Sequence, residues 1–266
     1  MSAVPRSRSS ASRRTSRRPS ATLACLGLLL APAEPLQPQM LPQSQQRLFR
    51  HRFLAASDMV IRLPLDASPL LERFVVDRHG VAEGDCVSCV HCQLEVLRPK
   101  VRWCRDSQRM LELPNAGGSS LGSEVLAFEV LARAFGASLV KTETELVYNH
   151  PSKMTDFAVT VFGEKIGVSV TRAFKWTREL SEFPASPPEL TGEEARHLLR
   201  KKLLGIESSS RNVVNMRWRK QVLHVWSRSF RESVLFEREY EQLPIEIRGD
   251  SVLLITRIAF GGEWIW

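Results

Sequence analysis

The chain has 266 residues, of which 43% are hydrophobic, and its formal net charge is +8. A chain of this length and composition can bury a hydrophobic core. No apolar run reaches the roughly 18 to 20 residues that a membrane-spanning helix needs, so we expect no membrane span. The excess charge lies in residues 1–56, which contain nine Arg, no Lys and one acidic residue, Glu34. The rest carries 28 basic and 28 acidic residues, so the part predicted to fold is formally neutral.

Residues 1–56 are predicted to form a disordered basic leader. Ser, Arg and Pro alternate at its start, an apolar run follows at residues 21–30, and Ala31-Pro32-Ala33 comes next. An Arg-rich, Ser-rich and acid-poor leader is typical of a transit peptide, which favours a mitochondrial or other organellar location. A basic region followed by an apolar core and small residues also fits a secretory signal. The third alternative is a plain disordered extension of a nuclear or cytoplasmic protein.

The segment 57–119 is predicted to be a small α+β unit that contains cysteines. Apolar and polar residues alternate from Met59, which favours a strand, and Ser68-Pro69 is typical of the start of a short helix. Residues 93–113 predict two or three short strands. The glycine-containing residues 114–120 predict a flexible connection to the next domain.

Residues 120–262 carry the strongest secondary-structure patterns. Ser123 is a suitable N-cap and Gly136 a suitable stop for a helix whose apolar residues recur at helical spacing. Within this helix, Glu129 is predicted to be solvated. Three strands are predicted next, at residues 137–148, 155–162 and 165–174. The order of these elements is αβββ.

The chain then returns to helices and closes with a strand. Thr191 and Glu194 form a capping box for a helix predicted to run to about Leu204. Residues 213–243 have a mostly helical pattern, and residues 251–260 predict an apolar strand. The predicted fold class is therefore α/β, with a three-layer-like αβββ core, following helices and a closing strand.

The predicted hairpin within residues 155–174 brings small polar residues around one acid. A two-residue turn at Gly163-Glu164 places Asp156 opposite Thr171, and Ala158 opposite Ser169, so these four residues share one side of the sheet. A carboxylate among small polar residues near the start of a strand could hold a divalent metal ion. An Asp at this place is also a common turn residue, and the pattern alone leaves both interpretations open.

The order of elements resembles the PD-(D/E)XK nuclease superfamily, and the stretch from Ser123 to Phe174 carries the resemblance. Glu124 matches the acidic residue of the family's first helix, and Asp156 matches the Asp that opens its second strand. The resemblance implies that these carboxylates hold Mg²⁺ and that a Lys orients the attacking water. Glu124 also has a plain explanation, because acids are favoured in the first turn of any helix.

The third predicted strand departs from the family pattern. The family has an acidic residue and a Lys two positions apart, where this chain has Ser169 and Thr171. These two residues are predicted to line the site as polar neighbours, and they can replace neither the missing acid nor the missing ammonium. A Lys could reach the site from elsewhere. The candidates considered are Lys153, Lys165, Lys201 and Lys220.

A basic block follows between Arg196 and Arg231, where ten Lys or Arg residues face one acid, Glu207. Trp218, Trp226 and Phe230 are interleaved, which suits contact with phosphates and stacking on unpaired bases of DNA or RNA. The residues predicted to contact nucleic acid are Arg200, Lys201, Lys202, Arg211, Arg217, Arg219 and Lys220. Alternatively, the aromatic residues belong to the core and the cations to the wet face of the same helices. His224 is predicted to be a packed, hydrogen-bonded residue rather than a catalytic one.

Four cysteines remain outside the leader, and Cys25 lies within it. Cys86, Cys89 and Cys92 form CxxCxxC, and Cys104 follows on a predicted strand. Four thiolates suit zinc, so these residues are predicted to converge on one Zn²⁺ ion. An iron–sulfur cluster, ordinary thiols and, in a secreted protein, disulfides are the alternatives.

Together these patterns predict a nucleic-acid-associated protein with a restriction-endonuclease-like domain and an incomplete catalytic set. The first alternative is an active Mg²⁺-dependent nuclease that uses Glu124 and Asp156. The second is a scaffold or zinc-binding interaction protein that acts on no nucleic acid.

Overall fold

The computed structural model describes residues 51–77, 89–115, 119–151, 153–174 and 189–266. All of these residues belong to a single unit, Leu41–Trp266. The predictions for residues 1–50 and for Cys86 lie outside the described residues, whereas residues 51–55, which were predicted to belong to the disordered leader, form a strand. No helix in the described part of the chain is long and apolar enough to cross a membrane.

The described residues form eight strands in one sheet, and six α-helices. The strands are β1 His51–Ala55, β2 Met59–Pro64, β3 Cys89–Val96, β4 Ser138–Thr142, β5 Phe157–Val161, β6 Glu164–Arg172, β7 Gln221–Ser227 and β8 Ser251–Phe260. The helices are α1 Ala67–Val76, α2 Arg105–Glu112, α3 Leu121–Phe135, α4 Gly192–Asn212, α5 Phe230–Glu241 and α6 Ile245–Arg248. Two short 3₁₀ turns cover Glu143–Glu145 and Glu263–Ile265.

The sheet has the order β1-β2-β3-β8-β7-β6-β5-β4. Its four central strands, β3, β8, β7 and β6, run parallel to one another, and antiparallel pairs complete both edges. Helices α4 and α5 connect the parallel strands β6, β7 and β8, as crossovers between parallel strands require. The predicted mixed α/β class is confirmed.

Two hydrophobic clusters cover the two faces of the sheet. Val222 and Trp226 of β7 belong to the cluster that includes α1 and α3, whereas Leu223 and Val225 belong to the cluster that includes α4 and α5. A strand buried on both faces reads as a nearly continuous apolar run. For this reason the helical pattern predicted over residues 213–243 was wrong, and the segment holds a strand before α5 begins.

The αβββ order predicted after residue 120 is confirmed by α3, β4, β5 and β6. Gly136 ends α3 with a left-handed φ of 71°, as predicted. The N-cap of α3 is Ser120 rather than Ser123, whose hydroxyl instead donates to the Ser120 carbonyl oxygen at 2.7 Å. Glu129 is buried rather than solvated, and Arg133, the Cys104 N–H and the Ser107 hydroxyl donate hydrogen bonds to its carboxylate.

Three further predictions are corrected. The segment predicted as strands at residues 93–113 contains the end of β3 and then α2, which Cys104 caps by accepting from the Ser107 N–H. Helix α4 continues through Gly205 to Asn212, and the side chain of Lys153 passes close to that glycine. Residues 57–119 form no separate domain, since β2 and β3 join the common sheet.

The hairpin between β5 and β6 turns at Phe162-Gly163, not at the predicted Gly163-Glu164. Both turn residues have positive φ, 51° and 80°, as a type I′ hairpin turn requires. Phe157 pairs with Val168. The position of Asp156 therefore lies opposite Ser169 instead of Thr171.

Candidate metal and catalytic site at the edge of β6

The candidate site lies where β5 separates from β6. The last pair of these strands joins Phe157 to Val168, so the backbone groups of Val170 on the same edge lie beyond the end of β5. The Val170 N–H donates to Oδ2 of Asp156. The Val170 carbonyl oxygen accepts from Nζ of Lys202 at 3.0 Å. The backbone of Val170 thus holds the Asp156 carboxylate and the Lys202 ammonium at the edge of β6.

Helix α4 contributes to both halves of this arrangement. The hydroxyl of Thr155, which precedes Asp156, lies 2.8 Å from the hydroxyl of Ser209 on α4, and both residues are buried. Three residues before Lys202, Leu199 is fully buried. This packing places Lys202 at the border of the apolar stripe of α4, from which its long side chain reaches β6.

Glu124 approaches the site from the first turn of α3. It is only 6% exposed. A small cavity of about 10 Å³ lies between Glu124, Glu143 and Asp156, with Met110 and Leu121 in its wall. This volume is close to the space that one water molecule occupies. The site therefore has room for a single small species next to three carboxylates.

Charge repulsion and burial act on both central acids. Burial and, after it, the negative charge of Glu124 raise the pKa of Asp156 to about 7, although Lys202 opposes this rise. Burial also raises the pKa of Glu124, and Lys202 and Arg172 oppose it. Both acids thus favour the protonated form to a greater degree than in water, and a cation between them would favour the ionised form.

Arg172 is a second basic residue close to Glu124, and the sequence analysis assigned it no role. Its Nη1 donates to the carbonyl oxygens of Ile265 and Trp266, at 2.6 and 3.2 Å. The guanidinium thereby joins the end of β6 to the last residues of the chain while its charge acts on Glu124.

Ser169 and Thr171 do not line the cavity between the two acids. They alternate along β6 with Val168 and Val170, which belong to the cluster that includes α3. Ala173, two residues after Thr171, belongs to the cluster that includes α4. Their side chains therefore face α4, whereas Asp156 borders the cavity shared with Glu124. The register still places the position of Asp156 opposite Ser169, but of these three residues Asp156 alone lines the cavity beside Glu124.

The ammonium that donates to this edge is that of Lys202, which was not among the Lys candidates. Lys220 is buried and pairs with Asp250 at 2.9 Å, and Lys165 and Lys201 are exposed. Lys202, predicted only as a contact to nucleic acid, is the residue that the sequence analysis missed in this role. The sequence feature that could have identified Lys202 is its position three residues after Leu199, on the border of the apolar side of α4. This position points to the site only once α4 is known to cover β6.

The basic block divides between two places. A groove of about 980 Å³ at the turn end of β6 is lined by Lys165, Arg211, Arg217, Trp218, Arg219 and Lys220, among others. Because a strand rises about 3.3 Å per residue, the five residues from Lys165 to Val170 put roughly 16 Å between the groove and the acids. The predicted contacts Arg200 and Lys201 are exposed on α4 but do not line the groove.

Two tryptophans of the basic block differ in their exposure to solvent. Trp226 is fully buried and its indole N–H donates to the Ser123 carbonyl oxygen, so it can stack on no base. Trp218 is partly exposed in the groove and donates to the Ser210 hydroxyl. The packed interpretation of His224 is confirmed, since its buried Nε2 lies 2.8 Å from the Thr256 hydroxyl.

The three described cysteines outside the leader do not converge. Cys92 belongs to the cluster that includes α3, whereas Cys89 packs against the opposite cluster. Cys104 lies at the start of α2. Among the described residues, one group of three metal-binding types has its ligand atoms within 4.8 Å of one another, and it consists of Cys89, His91 and Glu237. The carboxylates of Glu124, Glu143 and Asp156 do not form such a group, because their oxygens do not all lie within 4.8 Å of one another.

Comparison with known proteins adds one relative. No protein-family model matches the chain, and no solved structure matches it. The chain is similar to the AAC-rich mRNA clone AAC4 protein of Dictyostelium discoideum, with 44% identity over 149 residues. The match covers 56% of this chain and 22% of that protein. The chain thus spans about a fifth of the relative's length, and the relative's name states no activity.

Proposed function

We propose that the chain is a nucleic-acid-associated protein with a PD-(D/E)XK-like domain that cleaves phosphodiester bonds with Mg²⁺. The observation that carries the proposal is the edge of β6, where the two backbone groups of Val170 hold Asp156 and Lys202 beside Glu124. The proposed ammonium comes from α4 rather than from the third strand of the αβββ unit.

The topology supports the same proposal. Helix α3 and the antiparallel strands β4, β5 and β6 are followed by α4 and by β7, which pairs parallel to β6. This is the helix, three strands, helix and strand that the resemblance implies. Since one fold serves many functions, the topology counts as support only together with the residues at the strand edge.

The acids at this edge suit Mg²⁺. This ion commonly binds through one or two carboxylates together with substrate phosphates, and it keeps several of its waters. Glu124 and Asp156 would supply the two carboxylates, and both line the same small cavity. When bound, Mg²⁺ would supply Lewis acidity to a phosphoryl oxygen.

The protein's own groups have complementary roles in the proposal. The Lys202 ammonium, attracted to both acids, can orient a water molecule or a phosphate oxygen at the strand edge. Without a metal ion the pKa of Asp156 lies near 7, and a bound cation would favour the ionised form that a ligand requires. Burial around Glu124 strengthens these interactions because it limits solvent screening.

The test is cleavage of single- and double-stranded DNA and RNA by the full chain with Mg²⁺ or Mn²⁺. Asp156→Asn, Glu124→Gln and Lys202→Met are each expected to lower the rate by about 100-fold or more. Glu193→Gln, an exposed acid in the first turn of α4, and Lys201→Met, an exposed neighbour of Lys202, are the matched controls and should retain the wild-type rate. Absence of cleavage by the wild type, or equal rates in all variants, would refute the proposal.

A second candidate function is binding of nucleic acid without cleavage, and the basic groove favours it. Exposed Arg211, Arg217 and Arg219 surround the partly exposed Trp218 there, a combination that suits phosphate contacts and base stacking. If this function holds, Arg217→Ala with Arg219→Ala weakens binding of labelled oligonucleotides. The double variant of Arg200 and Lys201, which removes equal charge outside the groove, should bind nearly as the wild type does.

A further inference from the structure

Three side chains of metal-binding type meet on the face of the sheet that α5 covers. Cys89 and His91 lie two residues apart on β3, so their side chains point to the same side. Glu237 extends from α5, where its neighbour Phe236 is fully buried. Strands β8 and β7 separate β3 from β6, which places this cluster roughly 14 Å or more from the β6 edge.

The ligand atoms of the cluster surround one point. Nε2 of His91 lies 3.4 Å from Sγ of Cys89 and 3.1 Å from Oε1 of Glu237, and all three atoms lie within 4.8 Å of one another. One imidazole nitrogen carries at most one hydrogen, so it cannot form good hydrogen bonds to both neighbours as a donor. A shared cation would satisfy all three atoms at once.

The spacings agree with zinc. Bond lengths of about 2.3 Å for Zn–S and about 2.0 to 2.2 Å for Zn–N and Zn–O give, at tetrahedral angles, roughly 3.6 Å between S and N and roughly 3.4 Å between N and O. The observed distances are 3.4 and 3.1 Å. Small adjustments of side-chain rotamers would therefore complete the coordination.

The cluster is acidic and open to solvent. The negative charges of Glu237 and Glu241 act on Cys89, and Glu237 pairs with His91. The side chains of His91 and Glu237 are 34% and 35% exposed, so an ion can enter from solvent. Thiolate, imidazole and carboxylate together suit a borderline-soft ion such as Zn²⁺ better than Mg²⁺ or Ca²⁺, which prefer oxygen ligands.

We propose that Cys89, His91 and Glu237 bind one Zn²⁺ ion, with the fourth position left to water or to one further side chain. The site joins β3 to α5, so the ion ties a strand of the sheet to the helix that covers it. This proposal is independent of the function at the β6 edge. It differs from a four-thiol site because it needs neither Cys92 nor Cys104.

The test uses the full chain, purified with a reductant that does not bind metal, and measures its Zn²⁺ affinity against a chromophoric chelator. Cys89→Ser, His91→Gln and Glu237→Gln are each expected to weaken binding by at least about tenfold. Cys104→Ser and Glu193→Gln are matched controls that should leave the affinity unchanged. Substitution with Co²⁺ gives a second measurement, because thiolate-to-cobalt charge-transfer absorption should appear in the wild type and vanish in Cys89→Ser.

Stoichiometry and stability complete the test. One equivalent of Zn²⁺ should raise the melting temperature of the wild type, and the three ligand variants should lose this rise while still unfolding cooperatively. Binding that is lost in Cys86→Ser and Cys104→Ser but retained in His91→Gln and Glu237→Gln would overturn the proposal in favour of thiols alone. Less than about a tenth of an equivalent of bound Zn²⁺ at saturating concentration would also overturn it.

Discussion

Replacing Asp156 by Asn should stabilise the protein at neutral pH, which is the reverse of what removing a hydrogen-bonded surface acid normally does. Burial and the charge of Glu124 raise the pKa of Asp156 from 3.8 to about 7. Between about pH 4 and pH 7 the folded chain keeps a proton that the unfolded chain has lost, so stability falls as the pH rises through this window. Asn keeps an acceptor for the Val170 N–H and carries no charge.

The magnitude follows from the size of the pKa rise. A change from 3.8 to about 7, at about 1.36 kcal/mol per pKa unit, corresponds to roughly 4 kcal/mol. Asp156 retains some exposed surface, where solvent screening reduces this figure, so we expect about 2 kcal/mol at pH 8. For a unit of this size, 2 kcal/mol is about 4 to 8 °C in melting temperature.

The assay is thermal unfolding of wild type and Asp156→Asn from pH 4.5 to 8, with and without millimolar Mg²⁺. The two proteins should unfold at similar temperatures near pH 4.5, and the variant should be the more stable above pH 7. Mg²⁺ should raise the melting temperature of the wild type alone. If the two melting curves stay parallel across this pH range, Asp156 is an ordinary solvated acid and the electrostatic account of the site is refuted.

Three further predictions concern other parts of the chain. If the groove binds B-form DNA, neutralising Arg217 and Arg219 should lower the slope of log affinity against log salt by about 1.8, measured by oligonucleotide titration at several salt concentrations. Burial lowers the pKa of His224 to about 3, so the contribution of this residue to stability should fall as the pH drops below about 6.5, and His224→Gln should be less sensitive to acid than the wild type in urea titrations. Removing residues 1–50 should leave the free energy of unfolding unchanged while altering location in cells, because their composition predicts no packed core.

The sequence predicted elements better than it predicted their contacts. Gly136 and the flanking apolar spacing were sufficient for α3, and the continuous apolar run at residues 251–260 was sufficient for β8. The strand β7 was mistaken for a helix, because a strand buried on both faces lacks the alternation that identifies exposed strands.

The two acids of the candidate site could be predicted from the sequence, but its lysine could not. Glu124 and Asp156 stand at element boundaries, where local patterns are informative. Lys202 lies within a helix, and nothing local distinguishes it from Lys201. The contact of Lys202 with Val170 depends on how α4 crosses β6, which is a property of tertiary packing. The hairpin register failed for a similar reason, since Phe162 occupies a positive φ that sequence patterns assign to glycine.

Glu124 decides whether the arrangement at β6 is merely structural. In a purely structural site, Asp156 and Lys202 would only provide hydrogen-bond partners for the Val170 N–H and carbonyl groups beyond the end of β5. Such a site has no need of Glu124, a second buried acid whose charge opposes the ionised form of Asp156. Glu124→Gln removes the repulsion and should raise the melting temperature at pH 8 under either interpretation. If the site is functional, the same variant should lose its response to Mg²⁺ and any cleavage, because Gln removes one of the two carboxylates that would hold the ion. Glu193→Gln should change neither property. A Glu124→Gln protein that is more stable and still shifts with Mg²⁺ as the wild type does would show that this acid takes no part in binding metal.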